Sequence, residues 1–352
     1  MDGNMPEIGF EQVVGQKLAV SHLQNALKTG RISQAYLICG EKGAGKEKLA
    51  AAFAASLLCE HPVEKNGYPE PCGTCHSCRQ MQSGSHPDFV TATNEWAEVS
   101  TKTGTLGVAL ARRVQSDAQI RPYQSPYKIY VIPQADRLNP QAQNALLKTL
   151  EEPPAYAVFL LLAQNLSVFL PTVLSRCVLL PLHPAPEKDL VEMLQKQGAG
   201  EEEAVIAARL SHGNPGRSQE LIGEELLEFR RKLTDFLERI SDKDSYEILK
   251  FSEYLAGGGE DNPSHMEDFL DMGRSWYRDI LTWKSTQSVD NLIFKDKVKY
   301  IISAAKQFPF AKLSGILEAF DEAERRKSSR ENDTQIAELL LLKIRGILRR
   351  PT

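Results

Sequence analysis

The sequence lacks any apolar run long enough to cross a membrane, and it lacks a marked excess of charge of one sign. Its longest nearly apolar stretch, residues 49–59, is far shorter than the roughly 18 residues that a membrane-spanning helix needs. Its 42 basic side chains against 46 acidic ones leave a formal charge of -4, which is too balanced to predict nucleic-acid binding from bulk electrostatics alone. We therefore expect no membrane partner, and any DNA contact to be local or shared with partner proteins.

The sequence also has little cysteine and no export pattern. The first ten residues carry Asp2 and Glu7 rather than a basic-then-apolar signal, so we expect a cytoplasmic protein. At 352 residues, 42% hydrophobic and 25% charged, the chain has the composition of an ordinary globular protein with two or three domains. Four of its 6 cysteines fall within 59–78, which in a reducing compartment predicts a metal site rather than disulfides.

Strand and helix patterns alternate over the first half of the chain. The predicted strands are Ala35–Cys39, 89–92, Lys128–Ile132 and Ala157–Ala163, and the predicted helices are 11–29, 108–120 and 140–150. This alternation predicts a parallel sheet covered by helices. From Pro184 onward the periodicity is only helical. We therefore predict an α/β domain over residues 1–183, a small helical domain over 184–223 and an all-helical domain over 224–352.

Residues 40–46 have the spacing GxxxxGK between a predicted strand and a predicted helix, which is typical of a phosphate-binding loop. In such a loop Gly40, Gly43 and Gly45 let backbone N–H groups point at phosphate oxygens, and Lys46 reaches the terminal phosphates. These four residues are the predicted nucleotide-binding residues. The alternative is a corner that keeps its glycines because the backbone path needs them.

Two parts of an ATP-hydrolysing apparatus are missing around this loop. The position after Lys46 holds Glu47, where a Ser or Thr hydroxyl normally ligates Mg²⁺. The strand that should end in acidic residues, which hold the metal and activate water, ends instead in Pro133 and Gln134. Asp136 lies two positions after Gln134, in the turn. We therefore expect weak or no nucleotide binding and no intrinsic hydrolysis.

Cys59, Cys72, Cys75 and Cys78 supply four thiolates, the ligand set of a closed structural zinc site. The last three can wrap one side of an ion, and Cys59, at the end of the preceding helix, is the fourth ligand. The alternative is a nucleic-acid contact, which the acidic residues around the module disfavour. Three nearby histidines are expected at the surface, since four thiolates already satisfy zinc. They are His61, His76 and His86.

Five segments occur in an order that resembles the clamp-loader subunits of bacterial DNA polymerase III, a family of AAA+ proteins. They are FEQVVGQ at 10–16, AYLICG at 35–40, the cysteine module at 59–78, ALLKTLEEPP at 145–154 and SRC at 175–177. The resemblance implies an α/β P-loop (AAA+) domain with a parallel sheet and an inserted zinc module. A small helical lid domain and an all-α collar domain, through which five subunits assemble, are implied to follow.

The active ATPase subunits of this family carry Lys-Thr or Lys-Ser in the loop and an Asp-Glu pair after the second motif strand. This chain has Glu47 and Pro133-Gln134 at those places. The family's nucleotide-sensing arginine falls at Gly216, with Arg217 one place later. The resemblance therefore implies a mostly ATPase-silent stator in a hetero-pentamer with ATPase subunits and the delta subunit. Through that complex it would meet the sliding clamp and primed DNA.

Arg176, in the Ser-Arg-Cys segment, is implied by the resemblance to act in trans on ATP bound by a neighbouring subunit. A guanidinium there would stabilise charge on the transferring phosphoryl group. The residues alone favour a surface arginine that caps a helix or pairs with a local acid. The rival function is an active motor ATPase acting on DNA, either a clamp-loader ATPase subunit or a branch-migration relative. A small-molecule P-loop kinase is a third hypothesis, which the helical C-terminal half disfavours.

Two apolar stripes of the predicted collar are expected to pack against neighbouring subunits, the alternative being the core of the domain itself. One stripe is Phe229, Leu233 and Phe236, and the other is Leu339, Leu340 and Ile344.

Overall fold

The structure is a computed structural model that describes residues 8–98, 105–257, 264–290, 292–329 and 331–350. The chain forms two compact units. One consists of Met1–Leu194 with Gly213–Arg217, and the other of Gln195–His212 with Ser218–Thr352. Asp2, Glu7 and the outer ends of the first and last predicted domains lie outside the described residues. The boundaries at 183 and 223 stay predictions.

The first unit is built on a five-stranded parallel sheet. The strands of the chain are β1 (Ala35–Cys39), β2 (Val63–Lys65), β3 (Tyr68–Glu70), β4 (Phe89–Thr91), β5 (Lys128–Ile132), β6 (Ala157–Ala163) and β7 (Val178–Pro181). The sheet has the order β4-β5-β6-β1-β7, and β2 pairs with β3 in a separate antiparallel hairpin. Because β1 lies between β6 and β7, Leu37 faces Leu161 on one side and Leu179 on the other. The carboxyl end of β1 therefore lies inside the sheet, between the carboxyl ends of β6 and β7.

Helices cover both faces of this sheet. The helices in this part of the chain are α1 (Lys17–Thr29), α2 (Lys46–Leu58), α3 (His76–Ser83), α4 (Val108–Ala118), α5 (Pro140–Glu151), α6 (Pro171–Leu174) and α7 (Glu187–Lys196). Alternate side chains of a strand point to opposite faces, so one strand contributes side chains to two hydrophobic cores. Tyr36 belongs to the same buried cluster as Phe53 of α2. Leu37 belongs to the opposite cluster, with Leu110 of α4 and Leu146 of α5.

The central strands match their predicted bounds because they are covered on both faces. β5 and β6 are buried at every position, and a doubly covered parallel strand is a continuous apolar run in the sequence. The predicted strand at 89–92 and the predicted helices at 108–120 and 140–150 are confirmed with small shifts at their ends. The helix predicted over 11–29 begins only at Lys17, because residue Gly15 turns the chain with a φ of 75°.

The second unit is helical throughout its described residues, as predicted. The remaining helices of the chain are α8 (Glu201–Leu210), α9 (Pro215–Glu220), α10 (Glu224–Glu238), α11 (Ser245–Ala256), α12 (Met266–Thr286), α13 (Val298–Gln307), α14 (Phe310–Ser328) and α15 (Asp333–Arg349). Asp244 caps α11 by accepting the N–H of Glu247, and Asn332 caps α15 in the same way. No helix in the described ranges has both the length and the apolar content needed to cross a bilayer.

The two apolar stripes of the second unit pack mainly within that unit. Phe229 and Leu233 are buried, and the ring of Phe236 stacks on Phe251 with their centroids 3.9 Å apart. In the other stripe Leu340 and Ile344 are buried. Leu339 is 51% exposed, because it lies one residue off the buried face of its helix. The expectation that these stripes form faces for neighbouring subunits is therefore wrong for most of their side chains, which fill the core of the unit.

Candidate functional site

The predicted phosphate loop lies at the carboxyl end of β1, where the chain turns into α2. Gly43 and Gly45 have φ angles of 83° and 95°, a region that side-chain-bearing residues rarely occupy. Gly45 is followed directly by Lys46, the first residue of α2. The backbone therefore takes the strand, glycine turn and helix path of a phosphate-binding corner.

Lys46 is turned into the loop rather than toward solvent. Its side chain is only 4% exposed, and its Nζ donates hydrogen bonds to the carbonyl oxygens of Gly40 (2.8 Å) and Glu41 (2.7 Å). Burial lowers the pKa of the Lys46 ammonium, against the nearby carboxylates of Glu47 and Asp136, which raise it. Lys46, the residue of the loop motif that would reach a terminal phosphate, is thus bound by the carbonyl groups of its own loop.

The segment that carries Gly216 lies directly on the outside of this loop. The N–H of Gly216 donates to the carbonyl of Gly43 (2.9 Å), and the side-chain amide of Asn214 donates to the carbonyl of Lys42 (2.7 Å). A Cβ atom on Gly216 would lie 2.6 Å from the Cα of Gly43. The glycine at the place of the family's sensing arginine therefore allows a direct backbone contact.

No carboxylate follows directly on β5 at the place where a metal-holding acid would stand. Pro133 comes first, and Gln134 is exposed, with a positive φ of 55°. The carboxylate of Asp136 accepts the backbone N–H of Gln164, just after β6, at 3.1 Å. Asp136 therefore contributes its charge near Lys46 while one of its oxygens fixes a neighbouring loop.

The four cysteines converge as the sequence predicts. Cys59 follows the end of α2, Cys72 and Cys75 come from the loop after β3, and Cys78 lies in the first turn of α3. All four sulfurs lie within 4.8 Å of one another, and the Cys59–Cys75 and Cys72–Cys78 pairs are both 3.9 Å apart. Zinc holds sulfur at about 2.3 Å, which places the sulfurs of a tetrahedron about 3.8 Å apart. The cluster therefore fits a tetrahedral ion such as zinc.

Backbone N–H groups point at the sulfurs of this cluster. Cys59 Sγ accepts from Cys72 (3.3 Å), Cys72 Sγ from Cys75 (3.3 Å), and Cys75 Sγ from Cys78 (3.4 Å). Burial would raise the pKa of the Cys72 thiol, but hydrogen bonds from Thr74 and Cys75 outweigh it and lower that pKa to about 6. Burial raises the pKa of Cys78. At Cys72 the donors therefore stabilise the thiolate, the form that binds metal.

The prediction for the nearby histidines is right for two and wrong for one. His61 and His76 are exposed, whereas His86 is only 4% exposed. His86 lies two residues before Asp88, which is fully buried in front of β4, and its ring nitrogens bond to Ser77 and to the N–H of Asp88. His86 is not needed as a zinc ligand, but it is buried all the same because both of its ring nitrogens have hydrogen-bond partners inside the protein.

Arg176 lies between α6 and β7, with its side chain 33% exposed. Its guanidinium forms an ion pair with Glu151 at the end of α5 (2.6 Å) and donates to the carbonyl of Thr172 (2.8 Å). This is the local pairing that the residues alone favoured. Glu151 belongs to the LEEPP part of the 145–154 segment, so two segments that resemble the family meet in one ion pair.

Three contributors to these sites were missed in the sequence. Asn214 binds the outside of the loop, Glu151 binds Arg176, and Ser77 bonds to His86 beside the cysteines. Asn214 follows a glycine and precedes a proline, a turn signal that could have drawn attention to it. Nothing in the local sequence distinguishes Glu151 or Ser77 from an ordinary polar residue.

Comparison with known families matches residues 15–186 to the family described as DNA polymerase III, delta subunit. The DNA polymerase III subunit delta' of Bacillus subtilis (strain 168) is 28% identical over 321 residues, 91% of this chain and 93% of that protein. The subunit delta' of Escherichia coli (strain K12) is 35% identical over 223 residues, 63% of each chain. The subunit tau of B. subtilis is 29% identical over 314 residues, 82% of this chain and 53% of that protein.

Proposed function

Because this chain belongs to the clamp-loader subunits of DNA polymerase III and is delta-prime-like in sequence, we propose that it is an ATPase-silent stator of the loader. In this role it assembles with ATPase subunits and the delta subunit in a hetero-pentamer. Through that complex it helps to load the sliding clamp onto primed DNA. It works in the cytoplasm and has no membrane partner.

The observation that carries this proposal is the state of the phosphate-loop corner. Its glycines are in place, but Glu47 supplies no hydroxyl for Mg²⁺, and Pro133 and Gln134 supply no carboxylate after β5. Lys46 is bound by two carbonyl groups of its own loop. Hydrolysis needs a bound metal and a positioned water as well as a phosphate cradle, and here only the cradle's backbone is present. ATP binding by this loop is weak or absent.

Zinc in the cysteine module has a structural role. Cys59, Cys72, Cys75 and Cys78 form a closed set of four thiolates, which leaves no open position for substrate or water. Zinc bound there would tie the end of α2 to the start of α3. The module therefore stabilises the first unit rather than performing a reaction.

Arg176 acts on ATP that is bound by a neighbouring subunit. Its guanidinium is partly exposed and its fork already binds one carboxylate, that of Glu151. An exchange of Glu151 for phosphate oxygens would move the fork from a local to an intersubunit partner. Exposed ion pairs of this kind contribute little free energy, so the exchange costs about 1 kcal/mol or less.

The domain assignment of the proposal keeps the predicted boundaries. Residues 1–183 form the AAA+ domain, 184–223 the lid and 224–352 the collar through which subunits assemble. The all-helical character of the described residues beyond 184 supports the last two.

The experiment is a reconstituted loader in which clamp- and DNA-stimulated ATP hydrolysis is measured after assembly has been verified by size-exclusion chromatography. With Arg176→Ala the complex assembles, and the chemical step at the adjoining site falls by about 10³-fold or more. Arg176→Lys keeps the charge without the planar fork, so it shows most of the same loss. Glu151→Gln is the matched control, because it removes the local partner and leaves the guanidinium free. Unchanged hydrolysis in an assembled Arg176→Ala complex rejects the role.

A further inference from the structure

The four cysteine ligands come from two separate places in the chain. Three lie close together, in the loop after β3 and the first turn of α3, and their spacing is fixed by the backbone hydrogen bonds between them. Cys59 stands alone at the end of α2, 13 residues earlier than Cys72. A tetrahedral site needs this fourth sulfur held in position relative to the other three.

Ser77 binds the chain on both sides of Cys59. Its Oγ donates to the carbonyl of Leu58 at 2.6 Å, and its backbone N–H donates to Oε1 of Glu60 at 3.2 Å. Ser77 is 1% exposed, so its bond to Leu58 is shielded from water. Ser77, which lies between the ligands Cys75 and Cys78, therefore fixes the residues that flank the distant ligand.

His86 completes the hydrogen bonding of Ser77. Its Nδ1 accepts the backbone N–H of Asp88 at 3.1 Å, which leaves the proton of the neutral ring on Nε2. That Nε2 lies 2.9 Å from Ser77 Oγ and donates to it, since the Ser77 hydroxyl proton is used on Leu58. Burial lowers the pKa of His86, which favours this neutral form.

The base of this chain of hydrogen bonds is rigid. Asp88 is fully buried, and its carboxylate accepts the N–H groups of Tyr123 (2.6 Å), Gln124 (2.9 Å) and Ser125 (2.9 Å). Asp88 also accepts the N–H of Ile129, the second residue of β5, through its own carbonyl at 2.8 Å. The position of His86 is therefore fixed by the sheet.

We infer that Ser77 and His86 are positioning residues for the metal site, which hold Cys59 in the ligand geometry by a hydrogen-bonded connection to the sheet. This inference rests on the proposed zinc role of the module. Residues that orient ligands without touching the metal typically change metal affinity by about 10- to 100-fold when they are replaced. The same range is expected here.

The test uses the full chain and measures zinc affinity by competition with a colorimetric chelator. Ser77→Ala and His86→Ala are each compared with His76→Ala, a matched control in which an exposed histidine beside the ligands is removed. We expect both test variants to bind zinc about 10- to 100-fold more weakly than the control. The Ser77→Ala/His86→Ala double variant should lose little more than the weaker single variant, because the two side chains act through one connection.

A second measurement separates positioning from general destabilisation. Thiol alkylation of the zinc-loaded variants, followed by mass spectrometry, should label Cys59 before Cys72, Cys75 and Cys78. Zinc affinities equal to that of His76→Ala in both variants would overturn the inference, as would labelling of all four ligands together with Cys39, which lies in β1. A wild-type chain that binds no zinc would instead reject the metal role itself, and the inference with it.

Discussion

The phosphate-loop corner and the cysteine module differ in what each has kept. Both were found by spacing alone, and both have the backbone path that their spacing predicts. The corner retains its glycines but lacks the hydroxyl and the acids that hold a metal. The module has four sulfurs at mutual distances that suit one ion, with N–H donors directed at three of them. A motif can therefore keep its backbone conformation after it has lost the side chains that bind a metal or a ligand.

Packing supplies a reason for Gly43 that does not involve a nucleotide. Gly43 meets Asn214 and Gly216 on the outside of the loop, where a Cβ atom would lie 2.5 Å from the Asn214 Oδ1 atom. This close packing and the φ of 83° together favour a glycine at this position. In the module, by contrast, the four sulfurs lie within 4.8 Å of one another, an arrangement that suits a metal ion.

The largest expected effect is that of removing the metal from the module. Zinc binding is worth about 10–16 kcal/mol in small zinc-finger peptides, so chelation should unfold the segment 59–83. Hydrogen exchange should show protection lost there and kept in β1, β5 and β6. Cys75→Ser should reduce zinc content from about one per chain to near zero, with Cys39→Ser as the matched control that keeps it. Equal zinc content in the two variants would show that the four cysteines of the module do not bind the metal.

A smaller effect is expected from adding a methyl group to the loop. Gly43→Ala combines a positive φ with a clash, and we expect it to destabilise the chain by about 2–3 kcal/mol. Gly45→Ala has the same kind of backbone strain with no atom within 4 Å of its Cβ, so about 1 kcal/mol is expected. Urea-induced unfolding measures both. If the two variants are equally stable, the contact with Asn214 and Gly216 does not explain the glycine.

The smallest effect is expected for Lys46→Met, which removes the cation that reaches the terminal phosphates in a working phosphate loop. Burial lowers the pKa of Lys46, so the folded chain binds fewer protons than the unfolded chain just below the ordinary value of 10.5. Wild-type stability should therefore rise with pH through that range, and the rise should vanish in Lys46→Met. At pH 7 the two proteins should differ by about 1 kcal/mol or less. Urea unfolding across this pH range is the measurement, and an identical rise in both proteins would contradict the assignment.

The sequence predicted the three strands that are buried on both faces and the edge strand β4, but it missed β7 and the hairpin of β2 and β3. β1, β5 and β6 have continuous apolar runs, because helices cover both of their faces. β7 was missed because it lies at the sheet edge, alternates between buried and exposed positions and ends in Pro181. The hairpin of β2 and β3 turns at Asn66-Gly67, both with positive φ, and that dipeptide is a hairpin signal that could have identified it.

For the candidate sites, the sequence predicted which side chains are present but not what they bind. The proximity of the four sulfurs could be predicted because metal ligands have a characteristic spacing along the sequence. The partner of Arg176 could not, since Glu151 approaches it from a helix 25 residues earlier in the chain only after the sheet has formed. The burial of His86 depends in the same way on the packing of α3 against α2.

ATP turnover by the isolated full-length chain tests most directly whether the phosphate-loop corner lacks the side chains needed for ATP hydrolysis. The measurement is steady-state phosphate release with Mg²⁺ and saturating ATP, for the wild type and for Lys46→Ala. We predict the same background rate for both proteins, because neither the Mg²⁺-binding hydroxyl nor the acids after β5 are present. Robust turnover by the wild type that Lys46→Ala abolishes would contradict the account and would favour an active motor ATPase.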